Sequence, residues 1–532
     1  MQRQSGARMA TTTAQADWSQ GYVHDLAYTD NFFAELAPAH LNYVAILNGY
    51  RPRPIDRPFT YCELGCGNGQ SSTVLAAANP NGQFFACDIN PTHVQTARRW
   101  AEAGKVENLT FLEASFQQMV GANLPDFDFI VFHGVYSWIG PMARRAIVEF
   151  MQKKLKPGGL VYNSYNCLPG WSSVAPLQRL MTELSPADAP DTAARVGPAL
   201  DAIKQLRDLK IAYFAANPAA SQFVDRISGQ PKSYLVHEYF NRDWTLFYSA
   251  DVARELQGAK LTYVGSATLI ENHRGVLMGQ KAADLVAKQT TRERQELVKD
   301  FVINQRFRRD VFAKSIPNLP AAEANRELER VALGLYKPPT DVAFQVKSPA
   351  GEFKFDNPLV RAVVANLADG PLTMGELPER PALKASPKAE VVKAAHTLLA
   401  AGQAIVFATA DRRPALPPDT RRFKLPNGLN GALAGGAWEH PSRATLAAPV
   451  AGTGYSLNQI DRALLAGIVE HGLERAFDTV AADVQKRGLT FTKDGKKLEG
   501  VEPNRAELRE RFERFVERTM PLLRRLGILD AA

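Results

Sequence analysis

The sequence predicts an α/β fold whose first third forms a mainly parallel sheet with helices on both faces. Short β-rich runs alternate with helix-length stretches from about residue 40 to 165, and a glycine-rich loop joins the first run to the first helix. Strands that alternate with helices in this way form right-handed βαβ units and therefore lie parallel. The predicted strands are Phe59–Leu64, Gln83–Asp88, Leu109–Glu113, Phe127–Phe132 and Gly159–Ser164, and the predicted helices include Gln70–Ala78 and Pro91–Ala103.

The elements after the fifth strand predict an insertion within the sheet. Lys156–Gly159 is a Pro/Gly turn that leads into the fifth strand, and residues 172–230 have apolar residues at helical spacing. Lys260–Ile270 is rich in Thr, Tyr and Val, and with Val276–Gly279 it predicts a hairpin that closes the sheet. The helical block would then interrupt the sheet domain, and its apolar surface makes it a candidate homodimer contact.

The remaining chain predicts further, mainly helical units. Residues 283–315 are predicted to be helical, and three helices ending in a strand predict a winged-helix-like unit (Asn357–Ala368, Leu372–Leu377, Lys388–Ala401, then Gln403–Thr409). Pro521 is expected to kink or end the last helix. The predicted boundaries are a disordered 1–16, a sheet domain at 17–171 and 232–282, an insertion at 172–231, a middle domain at 283–410, a Pro/Gly-rich linker at 411–455 and a helical domain at 456–532.

Length, composition and charge exclude several classes of protein. The 532 residues predict three or four folding units, and 45% hydrophobic with 22% charged residues is typical of globular chains. A net charge of +8 suits an acidic partner, but it is too diffuse for a dedicated nucleic-acid binder. No apolar run reaches about 18 residues, so no membrane span is predicted. The four cysteines lack metal-site spacing and predict a reducing, cytoplasmic setting without a metal.

The loop after the first strand carries Gly65, Gly67 and Gly69 at alternate positions. Glycines let backbone approach a ligand closely, and a helix N-terminus presents free N–H groups. The spacing differs from the G-x-G-x-x-G of dinucleotide sites. Glu63 precedes the loop, and it would repel a pyrophosphate but attract a cation. Because S-adenosylmethionine carries a sulfonium and an ammonium, the loop favours this cofactor over NAD.

An acid at the end of the second strand would hydrogen-bond ribose hydroxyls, and Asp88 stands there, 19 residues after Gly69. With these motifs in order, the chain resembles the class I S-adenosylmethionine-dependent methyltransferases. The resemblance implies a Rossmann-like sheet and in-line transfer of a methyl group. The residues that it implies for cofactor binding are Glu63, Gly65, Gly67, Gly69, Asp88, Ile89, Ser115, Phe116, His133, Tyr22 and Tyr28.

Four stretches resemble a narrower family, the bacterial methyltransferases with an appended regulatory domain. This family includes protein-lysine methyltransferases that modify outer-membrane proteins, so the resemblance implies a protein acceptor. The stretches are Phe132–Ile139, Tyr162–Trp171, Leu235–Asn241 and Asp300–Arg308. The Asn/Asp-Pro-Pro-Tyr signature of DNA amino-methylating enzymes is absent after the fourth strand, which argues against nucleic acid.

A lysine acceptor must lose a proton and its hydration before it attacks a methyl group. Aromatic walls lower an amine pKa by desolvation and stabilise its cationic character. The candidates for these walls are Tyr136, Trp138, Tyr165 and Trp171, and His133 could accept a proton or hold the loop.

Other interpretations compete with these roles. Packing is an alternative for His133, a structural hydrogen bond is favoured for His237–Glu238, and a solvated helix face is the default for Arg306, Arg308 and Arg309. Two further functions are considered, a small-molecule methyltransferase and an inactive scaffold that binds the cofactor.

Overall fold

A computed structural model describes residues 18–23, 31–186, 188–417 and 419–532. The predicted disordered segment 1–16 and Tyr28 lie outside these residues.

The core is a seven-stranded sheet in the order β3-β2-β1-β4-β5-β7-β6, in which β7 alone runs antiparallel to its neighbours. β1 is the third strand in this order and pairs in parallel with β2 and β4. β1 and β4 are buried almost throughout, as expected of parallel strands that helices cover on both faces. The strands are β1 Phe59–Leu64, β2 Gly82–Asp88, β3 Leu109–Glu113, β4 Phe127–Phe132, β5 Leu155–Asn166, β6 Leu261–Ser266 and β7 Phe307–Lys314.

The first five strands confirm the sequence prediction, and so do the first helices after the glycine-rich loop. One local difference is that Lys156–Gly159 belongs to β5, where the β4–β5 register shifts at a bulge. Gly158 has φ +75° there, so the predicted turn is a bend within the strand. The helices around the strands are α1 Pro38–Leu47, α2 Gln70–Ala78, α3 Pro91–Ala103, α4 Phe116–Gly121 and α5 Pro141–Lys154.

Residues 175–239 form a helical block with its own core, as the apolar spacing predicted. Leu177, Ile203 and Phe214 are buried within it, whereas Leu184 is exposed. Most of the apolar surface is therefore used inside the block. Its helices are α6 Ala175–Leu184, α7 Thr192–Asp208, α8 Ala212–Ala216, α9 Pro218–Ser228 and α10 Lys232–Tyr239.

The predicted hairpin is wrong. β6 pairs with β7, not with Val276–Gly279, and a 3-10 helix and three α-helices separate the two strands. β7 lies within residues 283–315, which were predicted to be helical, and its sequence FRRDVFAK contains four charged residues. Burial of Arg308 and Asp310 as an ion pair lets this polar run lie inside the sheet. The helices between β5 and β7 that follow the block are α11 Ser249–Gln257, α12 Arg274–Leu277, α13 Gln280–Ala287 and α14 Arg292–Ile303.

The next unit combines three helices with a three-stranded antiparallel sheet, in the order β11-β8-β12, and a separate hairpin. The helices near residues 358 and 388 and the strand near 405 confirm the predicted pattern, but 372–377 begins as a strand. The elements are α15 Ala321–Arg330, β8 Ala332–Gly334, β9 Gln345–Ser348, β10 Gly351–Lys354, α16 Pro358–Leu367, β11 Leu372–Thr373, α17 Lys388–Ala400 and β12 Ile405–Phe407.

The predicted linker 411–455 is wrong, because most of it is folded. Its helix and hairpin share a core with Val74 and Ala78 of α2, so the last domain packs directly on the sheet domain. Asn79 and Asn427 donate hydrogen bonds across this interface to Gly452 O (3.0 Å) and Ala77 O (2.9 Å). The elements are β13 Phe423–Lys424, α18 Gly428–Gly435, β14 Ala444–Ala448 and β15 Thr453–Leu457.

The chain closes with the predicted helical domain. The helical run does not end at Pro521, which lies in the first turn of α22, and a π-helical segment, Phe515–Thr519, directly precedes that turn. Among the described helices none is long and apolar enough to cross a membrane. The elements are α19 Gln459–His471, α20 Leu473–Lys486, β16 Thr492–Lys493, β17 Lys496–Lys497, α21 Val501–Arg514, α22 Met520–Arg525 and β18 Asp530–Ala531.

Candidate active site

A cavity of about 420 Å³ lies at the carboxyl ends of the central strands, where α/β sheets bind ligands. Its floor is the glycine-rich loop and the ends of β2, β4 and β5. The helical block and the residue before β7 form its far wall, through side chains such as Tyr234 and Arg306.

The glycine-rich loop needs its glycines for two different reasons. Gly65 and Gly67 line the cavity with φ +72° and +54°, a region that side-chain-bearing residues disfavour. A Cβ on Gly67 would meet no atom within 4 Å, so the ligand side of the loop is open. Gly69 does not line the cavity, and a Cβ there would come within 2.5 Å of Ala97 and 2.7 Å of Phe111. Gly69 therefore allows close packing of α2 on α3, and its cofactor contact stays a prediction.

Glu63 lies beside this loop, 4% exposed, with its carboxylate accepting a hydrogen bond from Ser72 Oγ. Burial raises the pKa of Glu63 to about 7, and the neighbouring Asp88 adds to the effect, while the Ser72 hydrogen bond opposes it. A buried carboxylate that borders a cavity is stabilised when a cation binds next to it. Glu63 is thus suited to hold a positively charged ligand group.

Asp88 ties the ends of β1 and β2 together. Its Oδ2 accepts from Gly67 N at 2.9 Å, and its Oδ1 accepts from Asn90 N at 2.9 Å. His93 Nδ1 lies 3.3 Å from the same Oδ1, while its buried Nε2 has no partner among the described residues. Both Asp88 and His93 line the cavity, so the carboxylate serves the loop as well as any ligand there.

Three further predicted contacts, Ile89, Ser115 and Phe116, line the cavity at the ends of β2 and β3. Ser115 caps α4, where its Oγ accepts from Gln118 N and the Gln118 side chain accepts from Ser115 N. This capping box fixes the Ser115 side chain against its own helix. Tyr22, which the resemblance implies for cofactor binding, also lines the cavity.

His133 lines the cavity at the end of β4. Its Nδ1 lies 2.8 Å from Tyr162 Oη, and its ring stacks on Phe33 at 3.6 Å. Burial lowers its pKa to about 3, with a contribution from the charge of Arg309. An imidazole with this pKa is a weak proton acceptor at neutral pH, so the geometry favours a holding role over general-base catalysis.

Two of the predicted aromatic walls, Tyr136 and Tyr165, do not line the cavity. Tyr136 is fully buried in the core under α5, and its hydroxyl donates to Glu255 at 2.5 Å. Tyr165 is also fully buried, and its hydroxyl donates to Asp310 at 2.6 Å. Neither residue lines the cavity, because the alternation of side chains along β5 and the short helical turn after β4 direct them into the core.

The other two predicted walls, Trp138 and Trp171, do line the cavity. Trp138 Nε1 donates to the carbonyl oxygen of Glu238 at 3.4 Å, which fixes the end of α10 against the sheet. Gly170 lets the loop after β5 lie on the residues before β7, since a Cβ there would come within 2.4 Å of Gln305 O. This close approach places Trp171 beside Arg306.

The three arginines near β7 do not form a solvated helix face. Arg308 is fully buried and pairs with Glu296, Asp300 and Asp310. Arg309 pairs with Glu35, and Arg306 lies in the cavity wall. His237 and Glu238 line the cavity as well, rather than serving only as structural partners.

Sequence reasoning missed several cavity residues. Asn166 could have been found as the last residue of β5, and Asn68 and Gly134 as parts of the quoted motifs, but most of the others lie in segments whose placement only the fold sets. These residues are Ser19, Gln20, Asn31, Phe33, Asn68, Gln70, Ser71, His93, Gly134, Ile139, Gly140, Tyr234 and Phe307.

The two ends of the cavity carry different kinds of side chain. One end has an open loop, two carboxylates and the buried Gln70 Oε1 without a described partner, which fits a cationic ligand that carries a sugar. The other end has indole and phenol rings, Glu238 and Arg306. The residues present therefore fit S-adenosylmethionine at the first end and a methyl acceptor at the second.

Two family models match this chain. One, described as a methyltransferase domain, matches residues 55–207, and the other, described as a predicted methyltransferase regulatory domain, matches residues 231–314. The uncharacterised protein sll1526 of Synechocystis sp. is 35% identical over 515 residues, which cover 96% of this chain and 99% of that protein. A malonyl-[acyl-carrier protein] O-methyltransferase of Paenibacillus sp. is 29% identical over 105 residues, 19% of this chain and 37% of that protein.

Among solved structures, PKMT2 from Rickettsia typhi in complex with AdoHcy has a similar fold, with a TM-score of 0.72. The match covers 94% of this chain and 99% of that one at 18% identity. At this identity the likeness concerns the fold, including the domains after residue 315.

Proposed function

Since the chain belongs to the S-adenosylmethionine-dependent methyltransferases that carry a methyltransferase regulatory domain, we propose that it methylates a lysine side chain of a protein. The observation that supports this acceptor is the set of side chains at the end of the cavity away from the glycine-rich loop, which we call the acceptor end. There Trp138, Trp171 and Tyr234 surround a space that Glu238 also borders. Aromatic rings and a carboxylate are the groups that bind an alkylammonium.

The residues at the loop end would hold the cofactor. Glu63 would face its positively charged methionine portion, and Asp88 would accept hydrogen bonds from ribose hydroxyls. Ile89, Ser115 and Phe116 would border the adenine. When bound, S-adenosylmethionine supplies a methyl group on a positively charged sulfur.

The acceptor end would prepare the amine. Trp138 and Trp171 are 7% and 6% exposed, so an alkylammonium that enters between them loses its hydration. Loss of water lowers the amine pKa and favours the neutral nucleophile. Glu238 would first attract the ammonium, and the ring faces would stabilise the cationic methylated product. Positioning of the amine in line with the methyl group then supplies much of the rate.

The fold that this chain shares with PKMT2 from Rickettsia typhi, solved in complex with AdoHcy, agrees with this proposal. The size of the chain supports it too, because residues 315–532 lie outside the cavity and are available for recognition of a protein.

The homodimer through 172–231 and the cytoplasmic location stay predictions. Light scattering would test the first, and cell fractionation would test the second.

The proposal is tested by incubating the protein with a proteome and cofactor labelled in the methyl group. We expect labelled methyllysine after acid hydrolysis of the protein fraction. Label only in low-mass products would favour a small-molecule methyltransferase, and base-labile label would indicate methyl esters. Binding of AdoHcy by calorimetry without any transfer would favour an inactive scaffold.

A further inference from the structure

The acceptor end of the cavity holds three hydrogen-bond donors that have no partner among the residues that the structure describes. They are Asn166 Nδ2, Trp171 Nε1 and Arg306 Nε, and all three atoms are buried. Asn166 is 3% exposed and Trp171 is 6% exposed. Buried donors are almost always satisfied, because an unmade hydrogen bond costs about 1–3 kcal/mol. A ligand that binds here should therefore bring acceptor oxygens.

Arg306 adds a positive charge to these donors. Its guanidinium stacks on Trp171 at 4.6 Å and lies 5.9 Å from the Phe223 ring, and no ion pair joins it to a carboxylate in the described part of the chain. Arg308, two residues further on, pairs with three carboxylates. A half-buried arginine beside a cavity, held by aromatic faces and lacking an anion, has the form of an anion-binding group.

The position of this cluster separates it from the loop end. Asn166 lies at the end of β5 and Asp88 at the end of β2, and β1 and β4 lie between these strands. Three strand spacings correspond to about 14 Å. At the loop end, Glu63 and Asp88 would bind the charged group and the ribose of the cofactor. The three unpartnered donors lie at the other end of the cavity and are therefore available to the acceptor.

We infer that Arg306, Trp171 and Asn166 form a subsite for a carboxylate carried by the acceptor, namely an Asp or Glu side chain next to the target lysine. This inference rests on the proposed function. Arginine binds a carboxylate through two parallel N–H donors, and the indole and amide N–H groups can complete its hydrogen bonds. Glu238 borders the same end and suits the lysine ammonium. Glu238 would thus bind the target lysine, and Arg306 would bind the acidic residue next to it.

The test compares the intact wild-type protein with Arg306→Gln and with a control, Arg179→Gln. Arg179 is exposed on α6, where it pairs with Glu183. Methylated lysines are mapped in a proteome for each protein, and peptides of the best sites are made with the flanking acid or with its amide. Calorimetry with AdoHcy and thermal unfolding check cofactor binding and folding.

We expect wild type and Arg179→Gln to prefer acidic flanks and to methylate the acidic peptide at least tenfold more efficiently than the amide peptide. Arg306→Gln should lose this preference while its AdoHcy affinity stays within about twofold. An equal rate on both peptides in wild type, or a preference that persists in Arg306→Gln, would overturn the subsite. A large loss of AdoHcy affinity in Arg306→Gln would also overturn it, because the arginine would then hold the cofactor. Absence of methyllysine with wild type would refute the proposed function instead.

Discussion

The backbone N–H of Gly67 donates a 2.9 Å hydrogen bond to Oδ2 of Asp88, which joins the glycine-rich loop to the end of β2. The carboxylate therefore shapes the loop before any ligand arrives. Its other oxygen accepts from Asn90 N and lies near His93, so one side chain orders three segments of the cavity floor.

Asp88→Ala should weaken AdoHcy binding by about 1–3 kcal/mol, because it removes the proposed ribose acceptor and leaves buried N–H groups unsatisfied. Asp88→Asn keeps one acceptor oxygen and should lose less. Calorimetry with AdoHcy measures both. Affinity that is unchanged in Asp88→Ala would show that this carboxylate has no part in ligand binding.

The pKa of Glu63, about 7 against an ordinary 4.5, predicts pH-dependent cofactor binding. Because a cation favours the ionised carboxylate, affinity for S-adenosylmethionine should rise with pH through 7 and level off above it. Glu63→Gln should bind more weakly and lose this dependence, and Ser72→Ala should move the rise to higher pH since it removes a stabilising donor. A flat wild-type profile between pH 6 and 8 would contradict the assignment.

The same pKa has a consequence for stability. Between pH 4.5 and 7 the folded protein holds a proton on Glu63 that the unfolded chain has released. The stability contributed by this group therefore falls as pH rises through that window, by up to about 3 kcal/mol. Chemical denaturation of the wild type and Glu63→Gln at pH 5 and 8 isolates the effect, which should be missing in the variant.

Trp138 and Tyr136 stand two residues apart but face different environments. Trp138→Leu should slow methyl transfer at least about tenfold, a loss of about 1.4 kcal/mol in the transition state, while AdoHcy affinity changes little. Tyr136→Phe should cost about 1 kcal/mol of stability, because its bond to Glu255 is lost, and leave turnover near wild type. Single-turnover rates and denaturation curves separate the two. A large rate loss in Tyr136→Phe would show instead that the Tyr136 hydroxyl takes part in methyl transfer.

The different positions of Tyr136 and Trp138 illustrate which features of the fold and the site the sequence can predict. Alternating runs and the glycine-rich loop predicted the first five strands and placed Asp88 correctly, since these features are local. They could not predict β7, in which Arg308 and Asp310 are buried as a pair and Arg308 also pairs with Glu296 and Asp300 of α14. Nor could they separate Tyr136 from Trp138, because a single short turn decides which ring faces the cavity.

Helix α18 packs against the end of α3, so closely that a methyl group added at Gly104 should destabilise the protein. A Cβ on Gly104 would lie 2.9 Å from Leu429 Cα, a backbone atom that cannot move alone. Gly104→Ala should therefore destabilise the protein by about 1–3 kcal/mol through overpacking. Gly121→Ala is the matched control, because a Cβ there meets nothing within 4 Å. Equal unfolding midpoints for the two variants would argue against this interface.

Arg308 is the centre of a buried charge cluster that joins β7 to α14. Its guanidinium donates to Asp310, Asp300 and Glu296, and Lys299 also pairs with Glu296. Burial raises the pKa of Asp300 and Asp310, while Arg308 opposes the rise. Removal of the arginine therefore leaves buried carboxylates without their main counter-charge.

Arg308→Met should accordingly cost about 3–5 kcal/mol at neutral pH. Without the arginine the folded-state pKa of Asp300 and Asp310 rises further above the unfolded value, so the folded form takes up protons that the unfolded chain has lost. The variant's stability should then fall as pH rises from 5 to 8, more steeply than that of the wild type. Arg308→Lys retains a charge and should lose less at both pH values. Denaturant unfolding of the three proteins at each pH measures this, and an Arg308→Met curve parallel to the wild type would show that the carboxylates do not depend on this arginine.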